Sequence, residues 1–401
     1  VKPVRRILTP LEEFLRAETS GGLVLLGATV AALAWANSPW RHGYASWWGR
    51  AFAVGSGSLG VDLTLHGWVD DGLMAVFFFV VALEIKRELV GGELTDRRRA
   101  ALPVLAALGG MALPAAIFLA VNLGGGAARG WAVPVATDIA FAVGVLALVG
   151  RGVPAGVRLF LLTLAIADDL GAIVVIAAFY SGGVAWWWLG AAAAIGGVVV
   201  AMKHIGASRP AYYLIPAAAM WLTVFHSGVH ATMAGVALGL LTPVTAAGRP
   251  VLERLERGLH PVSTFVVLPA FALANAGIPL GRDSLSGAYT SRITWGVVAA
   301  LVAGKTVGVA GTTLLAERLG WGRRPDSLRG HVLWGTAALA GIGFTVSLFI
   351  AGLAFHDAAA LADAKVGILT GSLLAASLGA ALLAPVRRDR RRSRAGASEA
   401  E

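Results

Sequence analysis

The chain has 401 residues, of which 57% are hydrophobic and only 14% charged, with a formal net charge of +10. Soluble domains carry about 25% charged residues, so this composition excludes a soluble globular protein and describes a polytopic membrane protein. Cysteine is absent, which excludes disulfides, thiolate metal sites and cysteine nucleophiles together.

The N-terminus, Val1-Lys2-Pro3-Val4-Arg5-Arg6, leads through a polar stretch into an apolar segment too long for a signal h-region, so no cleavable signal peptide is expected. Hydropathy places twelve spans near 20–37, 70–85, 100–122, 131–150, 158–180, 184–202, 211–225, 228–242, 258–277, 293–316, 331–355 and 365–386. Between the first two, arms at 48–54 and 59–65 flank the turn-rich run Gly55-Ser56-Gly57-Ser58. This predicts a β-hairpin over about 48–65, the only strand candidate in the chain. Span four carries Pro134 and the polar pair Thr137-Asp138 in its middle. Span five carries Asp168 and Asp169, span ten Lys305, and span eleven the run Gly341-Ile-Gly-Phe-Thr-Val-Ser347. Spans four and eleven are each central in a group of three, three to five and ten to twelve. Interrupted segments at matching places point to inverted repeats around a midplane site. The rest, 1–386, reads as one transmembrane domain, followed by a basic cytoplasmic tail, 387–401, expected to be disordered.

The basic balance is a topology signal. With both termini in the cytoplasm, the outer connections hold only Arg41, Arg50, Arg129, Arg282, Arg292 and Lys365, and Lys305 alone among basic residues lies inside a span. The other lysines and arginines fall on the inner side, as the positive-inside rule requires. That distribution removes a nucleic-acid reading and leaves some attraction to anionic lipids.

Asp168 and Asp169 have no charged neighbour in the run 159–178. A carboxylate at mid-membrane costs about 2.5–3.5 kcal/mol on insertion scales, so an adjacent pair marks a site that handles cations or protons. Neighbours on a helix point about 100° apart, so the two need different partners. One can pair with Lys305 while the other faces a water-filled cavity and binds a cation. If Na⁺ and H⁺ compete for these oxygens, loading one expels the other. Asp138 can either offset the dipoles of broken half-helices or touch the cation, and Thr137 can either supply a hydroxyl ligand or pack. His226 and His230 have i, i+4 spacing, but Ser227 stands where the hydrolytic zinc motif needs Glu, so no structural metal is expected. At the inner end of span two lie Glu84, Lys86, Arg87 and Glu88, and at that of span nine Glu256, Arg257 and His260. Both sets are either solvated or a mixed-sign pH sensor.

A retinal-based proton pump would also place a lysine near aspartates, but twelve spans with two interruptions do not fit a seven-helix bundle. Adjacent aspartates on one helix cannot form the shared-proton dyad of an intramembrane protease, and rings of repeated charge, the mark of a channel filter, are absent. No enzyme activity and no cofactor are expected.

These residues resemble, over nearly the whole chain, the NhaA family of bacterial Na⁺/H⁺ antiporters, a standing example of the inverted-repeat architecture. The matching blocks are Asp71-Gly-Leu-Met-Ala-Val-Phe-Phe78, Leu83-Glu-Ile-Lys-Arg-Glu-Leu89, the run 136–147, Ala167-Asp-Asp-Leu-Gly-Ala-Ile173, Ser227-Gly-Val-His-Ala-Thr232, Leu273-Ala-Asn-Ala-Gly277, Gly304-Lys-Thr-Val-Gly308 and the run 341–347. The resemblance implies a twelve-helix fold in which broken spans four and eleven cross at mid-membrane. It implies Asp169 as the central cation ligand and Asp168 as its partner in binding and proton exchange, paired with Lys305, with Asp138 and Thr137 at the crossing. Glu84, Arg87, Glu88, Glu256 and His260 would form a cytoplasmic pH-activation funnel, and His230 would sit at a pH-response position. The hairpin would be a homodimer contact in the bacterial inner membrane, and exchange of Na⁺ or Li⁺ for H⁺ would be electrogenic. Two departures bear on the pH range: Arg257 stands where the family often has histidine, and His226 where it commonly has lysine.

Overall fold

The computed structural model describes residues 4–55, 57, 60–149, 153–207 and 209–398. The described chain is mostly helical, with two short antiparallel strand pairs. Among the described residues, six helices are long and apolar enough to cross a membrane, and up to eight if each of two sharply bent helix pairs counts as one span. The expected spans 131–150, 211–225 and 228–242 fall on shorter apolar helices, Ile139–Val149, Ala211–His226 and Thr232–Leu241. The first bent pair turns by 115° between Ser20–Ala36 and Arg41–Trp48, and the second by 46° between His331–Leu339 and Phe344–Ala354.

The hairpin forms with strands Ala51–Val54 and Val61–Thr64, registered from Ala51 opposite Thr64 to Val54 opposite Val61. Its first arm is shorter than expected because Trp48 ends the helix Arg41–Trp48. Ser56 and Ser58 of the expected turn lie outside the described residues. A second pair, Thr245–Ala246 with Arg249–Pro250, corrects the expectation of a single strand candidate. Its two central residues, Ala247 (φ 48°) and Gly248 (φ 71°), both adopt positive φ, which a two-residue hairpin turn demands and which Ala-Gly only half advertises. At the C-terminus the helix Ala358–Ser398 runs through 387–398, where the composition suggests disorder. Arginine and alanine rank among the strongest helix formers. Residues 399–401 of the expected tail lie outside the described residues.

The chain divides into two compact units. The first holds residues 1–24, 96–171 and 281–401, and so contains the expected spans three, four and ten to twelve, and span five only as far as residue 171. Its helices Arg97–Val121 and Lys305–Arg318 approach through glycine. A Cβ on Gly308 would lie 2.3 Å from the Gly109 carbonyl oxygen, and one on Gly304 2.9 Å from Pro114 Cα. The second unit holds residues 25–95 and 172–280 and repeats the device. A Cβ on Gly235 would lie 2.0 Å from the Ala75 carbonyl oxygen, and one on Gly239 2.5 Å from Ala82 Cβ. Lipid tails are as apolar as leucine, so membrane helices associate by close backbone packing, and Gly304-x-x-x-Gly308 and Gly235-x-x-x-Gly239 supply it. This is one use to which the chain puts its 52 glycines.

Among the described residues, three helices change to π geometry: Trp68–Leu73, Ser263–Val267 and Ala300–Gly304. The second follows Pro261, which cannot donate to the helical ladder. The third ends immediately before Lys305, and such turns recur at functional sites.

Candidate functional site

The first unit brings two interrupted segments together. The chain enters through a 3₁₀ turn, Gly126–Ala132, runs non-helically through Pro134 to Asp138, and only then starts the helix Ile139–Val149. The other break separates His331–Leu339 from Phe344–Ala354. At the contact the Asp138 N–H donates to the Ile342 carbonyl (2.6 Å), and the Thr137 hydroxyl is 2.8 Å from the Ala340 carbonyl. Gly341 is required there, since a Cβ would fall 2.3 Å from the Leu301 carbonyl oxygen in the π turn Ala300–Gly304. The lysine helix thus supports the break from its own irregular turn.

Non-helical backbone inside a membrane leaves polar groups with no water to bond, each costing several kcal/mol. Asp138 answers for two helix N-termini at once. Its Oδ1 accepts from the Phe141 N–H (3.0 Å), the N-cap bond of Ile139–Val149. Its Oδ2 accepts from the N–H (3.0 Å) and hydroxyl (2.6 Å) of Thr345 in the first turn of Phe344–Ala354. One buried carboxylate therefore faces the positive ends of both half-helices.

Asp168, Thr137 and Lys305 form a second cluster beside it. The Lys305 ammonium is wholly buried and donates to Asp168 Oδ2 at 2.5 Å and to Thr137 Oγ1 at 3.0 Å. Thr137 Oγ1 lies 2.5 Å from the same carboxylate oxygen. With one proton, that hydroxyl donates to Asp168 or to the Ala340 carbonyl, not to both at once. The other oxygen, Asp168 Oδ1, is buried with no hydrogen-bond partner. Asp169 follows on the same helix, Ala155–Phe179, 5% exposed, and points about 100° away. The helix interior thus holds one carboxylate tied to a cation, with an oxygen to spare, and a second carboxylate on a different bearing. Oxygen-only donors of this kind suit hard cations and protons.

The second unit gathers the mixed-sign residues. Arg87 bonds both Glu88 (3.1 Å) and Glu256, and His260 Nε2 lies 3.7 Å from Glu84. Arg257, by contrast, pairs along its own helix with Glu253 and is well exposed. Lys86 donates to the Leu240 and Thr242 carbonyls, both at 2.6 Å, closing the C-terminus of the helix Thr232–Leu241. His230 Nε2 is 2.7 Å from the Tyr180 carbonyl oxygen, and His226 stacks on Trp188 with ring centroids 5.0 Å apart. Sequence reasoning passed over Thr345, Ala340 and the Leu301 carbonyl. A backbone oxygen has no sequence signal, and Thr345 lies 207 residues from the carboxylate it meets.

Residues 12–383 match the model of a family described as Na⁺/H⁺ antiporter 1. Curated relatives are similar over nearly the full chain. The Na(+)/H(+) antiporter NhaA 2 of Novosphingobium aromaticivorans is 50% identical over 92% of this chain and 94% of its own length. The Na(+)/H(+) antiporter NhaA of Acidovorax sp. is 50% identical over 92% and 91%, and the Na(+)/H(+) antiporter NhaA 3 of Frankia alni 44% identical over 94% and 89%.

Proposed function

Since the chain belongs to the Na⁺/H⁺ antiporter 1 family, we propose that it exchanges cytoplasmic Na⁺ or Li⁺ for external H⁺ at the Asp168–Asp169 pair. The observation that carries this is the buried cluster itself: adjacent carboxylates on one helix, with the Lys305 ammonium 2.5 Å from Asp168. Cation binding by Asp169 and the free oxygen of Asp168 draws charge from the lysine pair, and protons reload the carboxylates when the cation leaves. Thr137 lends a hydroxyl, and Asp138 holds the two half-helices in place. Competition for the same oxygens becomes exchange once access alternates between the two sides. More protons enter than cations leave, so transport is electrogenic.

On this reading the protein crosses a bacterial inner membrane twelve times with both termini in the cytoplasm, and spans three to five and ten to twelve form inverted repeats. The transported ions are its ligands, with no cofactor. The contacts among Glu84, Arg87, Glu88, Glu256 and His260 support a cytoplasmic pH-response cluster, with His230 a separate contributor. The exposed hairpin residues Phe52 and Val54 support a homodimer formed through that ribbon, and the basic inner face supports contact with anionic lipid. The test is purified protein in proteoliposomes acidified inside and loaded with a pH-sensitive dye. Adding NaCl or LiCl outside is expected to raise the internal pH, while choline chloride leaves it unchanged. No response to either salt between pH 6.5 and 8.5 would overturn the reading.

A further inference from the structure

Three polar groups converge on Thr137 Oγ1, and its single proton cannot serve both of the acceptors among them. Lys305 Nζ donates to it at 3.0 Å, so the hydroxyl has only its own proton to give. Asp168 Oδ2 lies 2.5 Å away and the Ala340 carbonyl oxygen 2.8 Å away. Thr137 and Ala340 are both buried, so bulk water does not replace whichever bond is given up. The two acceptors belong to different parts of the site. Asp168 is half of the carboxylate pair on the helix Ala155–Phe179. Ala340 is the C-cap of His331–Leu339, so its carbonyl has no partner within that helix and stands at the break before Phe344–Ala354. Thr137 itself lies in the other break, next to Asp138, whose N–H bonds the Ile342 carbonyl. Donation to Ala340 therefore adds a further bond between the two interrupted segments, and donation to Asp168 withdraws it.

The charge on Asp168 decides between the two. A hydrogen bond to an ionised carboxylate is roughly twice as strong as one to a neutral carbonyl, so without a cation the hydroxyl goes to Asp168. A cation at the aspartate pair draws on the same oxygens and weakens that bond, and the Ala340 carbonyl becomes the better acceptor. We propose that Thr137 is a positioning residue whose hydroxyl couples occupation of the aspartates to the interrupted helices. It turns to the Ala340 carbonyl when the cation binds, and back to Asp168 when the cation leaves. The proposal deepens the exchange reading above and rests on it. A bound ion shifts a conformational equilibrium only by as much as it interacts differently with the two states. The aspartates stand on an unbroken helix, whereas the interrupted segments carry irregular backbone, and Thr137 joins the first to the second.

The experiment compares wild type, Thr137→Val, Thr137→Ala and Thr137→Ser in proteoliposomes, reading the maximal exchange rate per folded protein and half-saturating Na⁺ separately. Proton release on adding NaCl to the purified protein in detergent reports binding, and melting temperatures report folding. Thr137→Val keeps the shape and removes the hydroxyl, Thr137→Ala removes it without bulk, and Thr137→Ser keeps it. The two hydroxyl-free variants are expected to lose about tenfold in maximal rate, the worth of one hydrogen bond. Their half-saturating Na⁺ is expected to stay within about twofold of wild type, with proton release retained. Thr137→Ser is expected to avoid most of the loss. A rise of about tenfold in half-saturating Na⁺, with proton release lost, would make the hydroxyl a cation ligand and overturn the coupling. So would Thr137→Ser as slow as Thr137→Val, or hydroxyl-free variants at the wild-type rate, and in both cases exchange itself stands. Amide hydrogen exchange of wild type tests the same claim without any substitution, should the variants fold poorly. NaCl is expected to slow it over residues 338–345, and an unchanged rate there while Na⁺ binds overturns the coupling. If wild type does not exchange, both readings fall.

Discussion

Asp169→Asn is expected to abolish cation exchange while leaving the protein folded. The amide keeps the size and much of the hydrogen bonding of the carboxylate, and it removes a buried charge that costs free energy to hold in the membrane, so stability should hold or rise. What it loses is the ionic ligand. A charge-assisted contact of about 3 kcal/mol corresponds to roughly 100-fold in cation affinity, and the amide has no proton to exchange at physiological pH. The expected result is a normal melting temperature, no stabilisation by added NaCl, and no Na⁺-driven pH change in proteoliposomes. Exchange at more than a tenth of the wild-type rate would remove Asp169 from the centre of the mechanism.

Lys305→Ala is expected to act mainly on stability. Lys305 and Asp168 are both completely buried, and truncating one partner leaves an uncompensated charge, which costs about 3–5 kcal/mol. The cavity left by the lysine stem, which lies beside Gly110, adds to that cost. Replacing both Lys305 and Asp168 by alanine removes the stranded charge, so the double variant should melt above the single one despite its larger cavity. Fluorescence-monitored unfolding in detergent gives the comparison directly. Equal or additive losses would show that the pair is not coupled and that the lysine serves packing alone.

How much of this could be read from the chain varies by feature, and the variation has physical reasons. That Lys305 pairs with one of the two adjacent aspartates is legible because it is the only basic residue inside an apolar segment, and a buried ammonium must find an anion; that the partner is Asp168 is not marked by the residues alone. The interruption at 340–343 is legible from Gly341 and Gly343, and that before Ile139 from Pro134, since both residue types weaken a helix where they stand. The hairpin follows from an alternating arm and a glycine-serine link. By contrast, nothing local singles out the π turn Ala300–Gly304, because a lone glycine such as Gly304 is common in membrane helices; there Gly304 packs tightly on Pro114 and the Leu301 carbonyl on Gly341. The sharing of Asp138 between two helix N-termini is equally hidden, because it joins residues 207 apart through a crossing that no local pattern encodes. The strand pair at 245–250 escapes notice because a two-residue bridge is too short to show alternation. Span boundaries at 131–150, 211–225 and 228–242 are the least legible, since apolar helices of 10–17 residues are shorter than the stretch of about 20 by which a crossing is recognised.

Exchange by competition requires that cation and protons use the same oxygens. The direct measurement is proton release when NaCl is added to purified protein in weakly buffered detergent solution, followed with a pH electrode from pH 6 to 9. Wild type and Asp169→Asn are compared, with choline chloride as the ionic-strength control. The account predicts acidification that saturates with Na⁺ in wild type and is absent in Asp169→Asn. Saturable Na⁺ binding by wild type with no proton released at any pH would contradict it, because cation and proton would then not share the aspartate pair.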